Sequence, residues 1–370
     1  MFSIIGVGDI MPGGILSGKK DGFIDKEVLT ILNSANFRIG TLETAIGNEP
    51  NWFNEKMQRT SDVIYSKDED IYKLLELNIN IVSLANNHIF DLGPEGIRHT
   101  IELLDSIGIQ HCGAGMNIEE ASRPVVVNCD GKSIAFSAFC DWRRETTGWC
   151  LMASENSAGV NPLYETHVEE QIKLLKSKYD YVVIIPHWGI EHISWPTKNV
   201  YYMVNKMITW GADVIFGGHT HRIQPVISSH NKSIAYSLGN FLFSDRIIIP
   251  PRSTWYPDNN FSEYCLLPIT HEFPFVEEPT LKCSPFKDRI GLINKVSIND
   301  GNIESISYYT FMNDNCHLSL YHGLVPSVFA KICIGSGLYP FISPIIYQLR
   351  RFRIITKNIF SKIMKKTNKR

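Results

Sequence analysis

Short, mostly apolar runs recur along the chain at Ser3–Val7, Phe37–Leu42, Ile79–Ala85, Tyr181–Ile185 and Ala212–Phe216. Runs of this length, with β-branched members, predict strands buried on both faces. Between them lie stretches whose apolar residues recur at three and four: Lys26–Asn33, Asp70–Leu77, a segment through Ile97, Ile101 and Leu104, about Tyr164–Lys178, and Val200–Trp210. These predict helices, and Pro94 suits the first turn of the third. Strands alternating with helices predict an α/β protein with a largely parallel sheet. Turn signals add hairpins at Asp130-Gly131, Asn231-Lys232 and Asp300-Gly301. Residues 47–66 read as a surface loop, and 246–290, rich in proline and aromatics, as a flap over a site.

The strand ends carry the polar residues. Asp9 follows the first strand, Glu43 the second, Asn86-Asn87-His88 with Asp91 the third, and His187 the fourth. His219 and His221 follow Gly217-Gly218 after Ala212–Phe216, where two glycines permit a sharp turn. Open α/β sheets place ligands at the carboxyl ends of their strands. Each residue also has a plain alternative: Asp9 as a cap, the His-x-His pair as a hydrogen-bonded loop. The block from Asn86 to Asp91 is harder to explain that way. Two amides, an imidazole and a carboxylate are costly to bury without partners or an ion.

Composition refines the picture in two places. The formal charge is −2, but residues 350–370 hold nine Lys/Arg and no Asp/Glu. The remaining 27 basic and 38 acidic residues leave the body near −11, which argues against nucleic-acid binding. The eight cysteines are scattered, as expected for reduced thiols, and no signal peptide is expected at the N-terminus.

The strand-end set is oxygen and nitrogen only: Asp9, Glu43, Asn87, His187, His219 and His221. That set suits manganese, iron or zinc. Six ligands exceed one closed zinc site and match two ions sharing a carboxylate, the arrangement that supports phosphoryl displacement. His88 is placed as a catalytic proton donor, with Asp91 beside it in sequence.

In order along residues 3–244, Gly8-Asp9-Ile10-Met11, Leu42-Glu43-Thr44-Ala45-Ile46, Leu84–His88 with Asp91 and Gly93, His187-Trp188-Gly189, Gly211–His221 and Ser237–Phe241 resemble the bacterial capsule-synthesis, or CapA-type poly-γ-glutamate synthesis, family. The resemblance implies a calcineurin-like metallophosphoesterase fold, a two-sheet sandwich flanked by helices. It further implies that Asp9 and His221 hold one metal and Asn87, His187 and His219 the other, with Glu43 bridging. Met11 stands where the wider metallophosphoesterase pattern has a histidine, and a thioether is a poor ligand for a hard ion. Two functions follow: a metal-dependent phosphoester hydrolase acting on an envelope polymer or a phosphorylated, lipid-linked substrate, or a non-catalytic polymer assembly or export factor using the same pocket.

A domain over 1–318 is expected, with the motif core at 3–244 and the flap and a hairpin at 246–315, followed by a tail at 319–370. From Leu324 to Leu349 the only charge is Lys331, yet three prolines and two glycines argue against a spanning helix. Leu349, Phe352, Ile355, Ile359 and Ile363 then make an apolar stripe beside basic residues. That pattern fits an anionic membrane surface on the cytoplasmic side, or a helix docked on the body with a solvated basic end.

Overall fold

The computed structural model describes residues 1–47, 64–141, 151–229, 231–248, 280–324, 328–335, 337–346 and 348. In chain order the strands of its two large sheets are β1 (Phe2–Met11), β2 (Phe37–Leu42), β3 (Ile81–Ser83), β4 (Gln110–Cys112), β5 (Val125–Cys129), β6 (Lys132–Cys140) and β7 (Tyr181–His187). They continue as β8 (Val214–Phe216), β9 (Val226–Ser229), β10 (Lys232–Ala235), β11 (Asn240–Phe243), β12 (Ile290–Asn299), β13 (Asn302–Met312) and β14 (Leu318–Leu320). The first sheet runs β14-β13-β12-β1-β2-β3-β4, with β11 also paired to β1; the second runs β9-β10-β8-β7-β6-β5. The crossover strands β1 to β4 are mutually parallel, as are β6, β7, β8 and β10.

The sheets pack face to face. Ile4, Val7 and Ile39 from one meet Ile134, Phe136, Val183 and Phe216 from the other in one core. Phe37 meets Phe136 edge-on, and a Cβ on Gly6 would lie 2.5 Å from the Phe216 ring, so only glycine lets the sheets approach there. The alternate residues of the second sheet, Ala135, Val182, Ile184 and Ile215, face outward. They are covered by Val168 and Ile172 of helix Glu165–Lys178 and by Val204 and Met207 of helix Lys198–Trp210. Helices Lys26–Asn33 and Gly93–Ser106 bury Val28, Leu32, Ile97 and Leu104 on the first sheet. The result is an α/β two-sheet sandwich flanked by helices: the pattern of runs and periodic segments predicts the α/β class, and the family resemblance implies the two-sheet sandwich.

Some boundaries differ from the expectations. Asp70–Leu77 is a 3-10 turn, Asp68–Tyr72, followed by the short helix Lys73–Glu76. The buried Asp70 carboxylate explains it, taking hydrogen bonds from Ser17 Oγ, the Lys67 amide and Lys73 Nζ and so tying the turn to another part of the chain. Within 47–66, Tyr65–Ser66 pairs with Ala45–Ile46, and residues 48–63 lie outside the description. Of the expected flap, Arg246–Ile248 pairs with Thr280–Lys282; residues 249–279 lie outside. Within the expected tail at 319–370, Ser319 and Leu320 still belong to β14, and helix Val328–Gly335 and a helical segment at 339–346 follow, whereas the stripe from Leu349 to Ile363 lies outside the described residues. Among the described residues no helix is long and apolar enough to cross a membrane.

Candidate metal centre

The parallel strands deliver their ends to one place. Asp9 pairs with Thr41 of β2 and Asn240 of β11, and its amide donates to the Gly239 carbonyl at 2.9 Å. A Cβ on Gly8 would land on that same carbonyl, so glycine is required where the two strands close up. The Glu43 amide donates to Ile10 O, which holds Glu43 beside Asp9. His187 ends β7 and bridges to Gly218. Beyond Gly218, His219 and His221 both adopt positive φ, 83° and 52°, conformations that side chains other than glycine rarely take. The surrounding network holds that strain: the His219 amide donates to Asp9 Oδ2, and His221 Nδ1 lies 2.9 Å from Asn240 Oδ1.

Asp9, Glu43, Asn87, His187, His219 and His221 thus form one buried cluster. His187 Nε2 lies 2.8 Å from Asn87 Oδ1, 3.2 Å from His219 Nδ1 and 3.5 Å from Glu43 Oε1. His221 Nδ1 lies 3.7 Å from both Asp9 Oδ2 and Glu43 Oε2. Two sets of donor atoms result, Glu43 with His187 and His219, and Asp9 with Glu43 and His221, each within 4.8 Å of one another. Glu43 is common to both.

Five buried atoms here have no hydrogen-bond partner: Asp9 Oδ1, both Glu43 carboxylate oxygens, His187 Nδ1 and His219 Nε2. Unpaired buried polar atoms are rare and costly. Two carboxylates facing three imidazoles, with acceptor atoms unmet, fit a bound divalent cation or pair of cations. Burial drives the protonation states, pushing the histidine pKa values down to about 3 for His187 and about 4 for His219 and His221. Burial, reinforced by the neighbouring Glu43 charge, also raises the Asp9 pKa well above its ordinary value. Neutral imidazole is the ligating form, and a cation between Asp9 and Glu43 would relieve their repulsion.

His88 and Asp91 flank this cluster. His88 Nδ1 lies 2.8 Å from Asp91 Oδ2, which also accepts from the Ile64 amide at 2.6 Å. Burial alone would lower the His88 pKa, but the Asp91 charge and hydrogen bond outweigh it and raise it. Asn86 shapes the loop: its Oδ1 accepts from the amides of His88 and Ile89, and its Nδ2 donates to Leu42 O. Met11 is buried against Ile64 and Phe243, and the Phe243 ring sits 5.1 Å from His221.

Sequence reading passed over a second group at this site. His192, also at positive φ, lies with its ring tilted 5.5 Å from that of His221, and its Nδ1 meets Asp288 Oδ2 at 2.5 Å. Arg222 Nε donates to the other Asp288 oxygen at 2.6 Å, and Asn240 Nδ2 donates to the Asp288 carbonyl. Burial would lower the His192 pKa, but hydrogen bonds to Asp288 and Glu191 carry it up to about 9. The signal for Glu191 and His192 was their nearness to His187. Asp288 lies far along the chain beside no motif, and nothing local marks it.

Residues 3–245 match the family described as bacterial capsule synthesis protein PGA_cap. The PGA biosynthesis protein CapA of Bacillus subtilis is 28% identical over 242 residues, covering 64% of this chain and 62% of that protein. The capsule biosynthesis protein CapA of Bacillus anthracis is 27% identical over 244 residues, covering 64% and 58%. The match therefore spans less than two thirds of these relatives' own length. Among solved structures, a 5′-nucleotidase precursor of Thermus thermophilus aligns with TM-score 0.41 at 12% identity, covering 92% of this chain and 59% of that one. A sulfate thiohydrolase SoxB of the same organism aligns with TM-score 0.44 at 8% identity, covering 92% and 60%. With the strand-end motifs gathered into one buried cluster and the family matched from residue 3 to 245, the chain belongs to the bacterial capsule synthesis PGA_cap family.

Proposed function

We propose that this protein is a metal-dependent phosphoester hydrolase of capsule or cell-envelope polymer synthesis, of the poly-γ-glutamate type. The observation that carries the reading is the convergence of five unpartnered buried atoms from Asp9, Glu43, His187 and His219. Asp9 and His221 would hold one divalent ion, Asn87, His187 and His219 a second, and Glu43 would serve both. Manganese, iron and zinc fit such a set. When bound, such ions supply Lewis acidity and lower the pKa of water from about 16 towards 7.

The chain's own residues do the rest. Asn240 fixes the His221 ring through its 2.9 Å contact, and against the lowering effect of burial Asp91 raises the His88 pKa, which favours the protonated form that can give a proton to a leaving oxygen. A phosphorylated or lipid-linked envelope intermediate is the substrate class proposed. The test pairs elemental analysis of the purified chain with hydrolysis of bis(p-nitrophenyl) phosphate. A stoichiometric divalent metal, lost in His219→Ala with the fold retained, and turnover that depends on it are expected. Unchanged metal content in that variant sinks the assignment.

Met11 supports a second reading. Its thioether packs against Ile64 and Phe243 and leaves the Asp9–His221 set without the further nitrogen ligand of the wider metallophosphoesterase pattern. On that reading the pocket binds polymer or lipid carrier as a non-catalytic assembly or export factor. Metal bound stoichiometrically with no turnover of any phosphoester would favour it.

A further inference from the structure

The Ser237–Phe241 motif reaches the metal centre through Asn240. This residue opens β11 in register with Asp9 of β1, where the bond from the Asp9 amide to Gly239 O closes the two strands up. Its side chain is buried. The Asn240 Nδ2 donates to Asp288 O at 2.9 Å, which turns the carboxamide so that Oδ1 faces His221, 2.9 Å from its Nδ1. That ring nitrogen is also 3.7 Å from Asp9 Oδ2 and from Glu43 Oε2. Three oxygens from separate segments of the chain therefore surround one imidazole nitrogen.

The other half of the centre shows the same pattern. There Asn87 Oδ1 lies 2.8 Å from His187 Nε2, which is 3.5 Å from Glu43 Oε1. In each half a carboxamide oxygen stands beside the imidazole nitrogen that faces Glu43. Two atoms each about 2.1 Å from one ion stand about 3 Å apart when their bonds meet at a right angle, and both contacts match that spacing. A proton on His221 Nδ1, donated to Asn240, would instead turn the ring's lone pair away from Asp9 and Glu43. Those two carboxylates hold three buried oxygens with no hydrogen-bond partner. Met11, two residues beyond Asp9, offers nothing to this half: it is packed against Ile64 and Phe243, and its sulfur accepts from Ser244 Oγ at 4.0 Å.

We propose that Asn240 Oδ1 is a metal ligand, completing with Asp9, Glu43 and His221 Nδ1 the half of the centre opposite Asn87, His187 and His219. This deepens the metal-centre reading above and rests on it. The half beside Met11 then has four ligand groups, as many as the other, but the two differ in kind. One offers two imidazoles, a carboxamide and the shared carboxylate; the other offers a single imidazole and three oxygen groups. Imidazole suits zinc and iron, whereas carboxylate and carbonyl oxygens suit manganese or magnesium. The oxygen-rich half therefore takes the harder ion.

The test uses the full chain, stripped of metal with a chelator and titrated with zinc and with manganese. The parent takes up two ions. Asn240→Ala takes up one as tightly as the parent and the second roughly 100-fold or more weakly, with the greater loss for manganese. Asn240→Asp, which keeps an oxygen in place, restores the second ion. Zinc-loaded protein carrying nitrogen-15 histidine reads the ligand atom directly. His221, identified by the signal lost in His221→Gln, carries metal on Nδ1 and its proton on Nε2. A proton on His221 Nδ1 in the loaded protein overturns the proposal, because Asn240 is then only its acceptor. Parent-like affinity for both ions in Asn240→Ala overturns it too. Should that variant fail to fold, Asn240→Asp and the histidine signals of the parent still decide. A parent that binds no metal sinks the proposal together with the centre itself. Metal uptake and the nitrogen-15 signals read no hydrolysis, so two ions bound without turnover sink only the hydrolase reading.

Discussion

Acidifying the metal-free protein from pH 6.5 towards 5 isolates the electrostatics of the centre. His187, His219 and His221 are buried, and their pKa values are pushed from the ordinary 6.5 to about 3, 4 and 4. Below pH 6.5 the unfolded chain takes up three protons that the folded chain refuses, so stability falls with pH. Each such proton is worth about 1.4 kcal/mol per pH unit. Asp9 works the other way, because its raised pKa lets the folded state bind a proton that the unfolded carboxylate has lost. His88 and His192 are raised, so below about pH 6 they are charged in both states and drop out. The net is two to three protons, about 3–4 kcal/mol per pH unit, a large share of a typical 5–15 kcal/mol. Urea denaturation after chelation, followed by tryptophan fluorescence at pH steps from 7 to 5, measures it. His219→Gln should lower the slope by about one proton. A slope under one proton, about 1.4 kcal/mol per pH unit, refutes the claim that these imidazoles are held neutral by burial.

Three further outcomes follow from the same geometry. His88→Gln should keep its metal yet lose roughly 10²–10⁴-fold in rate on phosphoesters with poor leaving groups and less on good ones; equal losses on both point to a structural role. Asp91→Asn removes the charge that raises His88, so the alkaline limb of the rate profile should move to lower pH, and an unmoved limb excludes His88 as its origin. Divalent metal at about 100 times its dissociation constant should stabilise the fold by about 2.7 kcal/mol, a rise of roughly 3–4 °C in melting temperature for a chain of this size. No shift with manganese, iron or zinc in calorimetry removes the site.

The sequence by itself determined the α/β class, the helices at 26–33, 165–178 and near 198–210, and the strand ends that carry Asp9, Glu43, Asn87, His187, His219 and His221. Those features are local: a run buried on both faces, a helical period, and a polar residue where a strand stops. Parallel strand order turns such ends into neighbours, which is why a one-dimensional list of strand ends could foretell a cluster in space. What the sequence could not decide was anything set by long-range approach. Asp288 meets His192 and Arg222 because β12 lies beside β1, close to where β11 brings Asn240 under His221. The positive φ of His219 and His221 is held by their partners, since it is uncommon for any residue but glycine, even though histidine visits it more often than most. Whether Tyr339 pointed inward or outward was likewise fixed only when Trp195 and Tyr201 closed around it, because an apolar residue in a sequence carries no sign of which apolar surface it will choose.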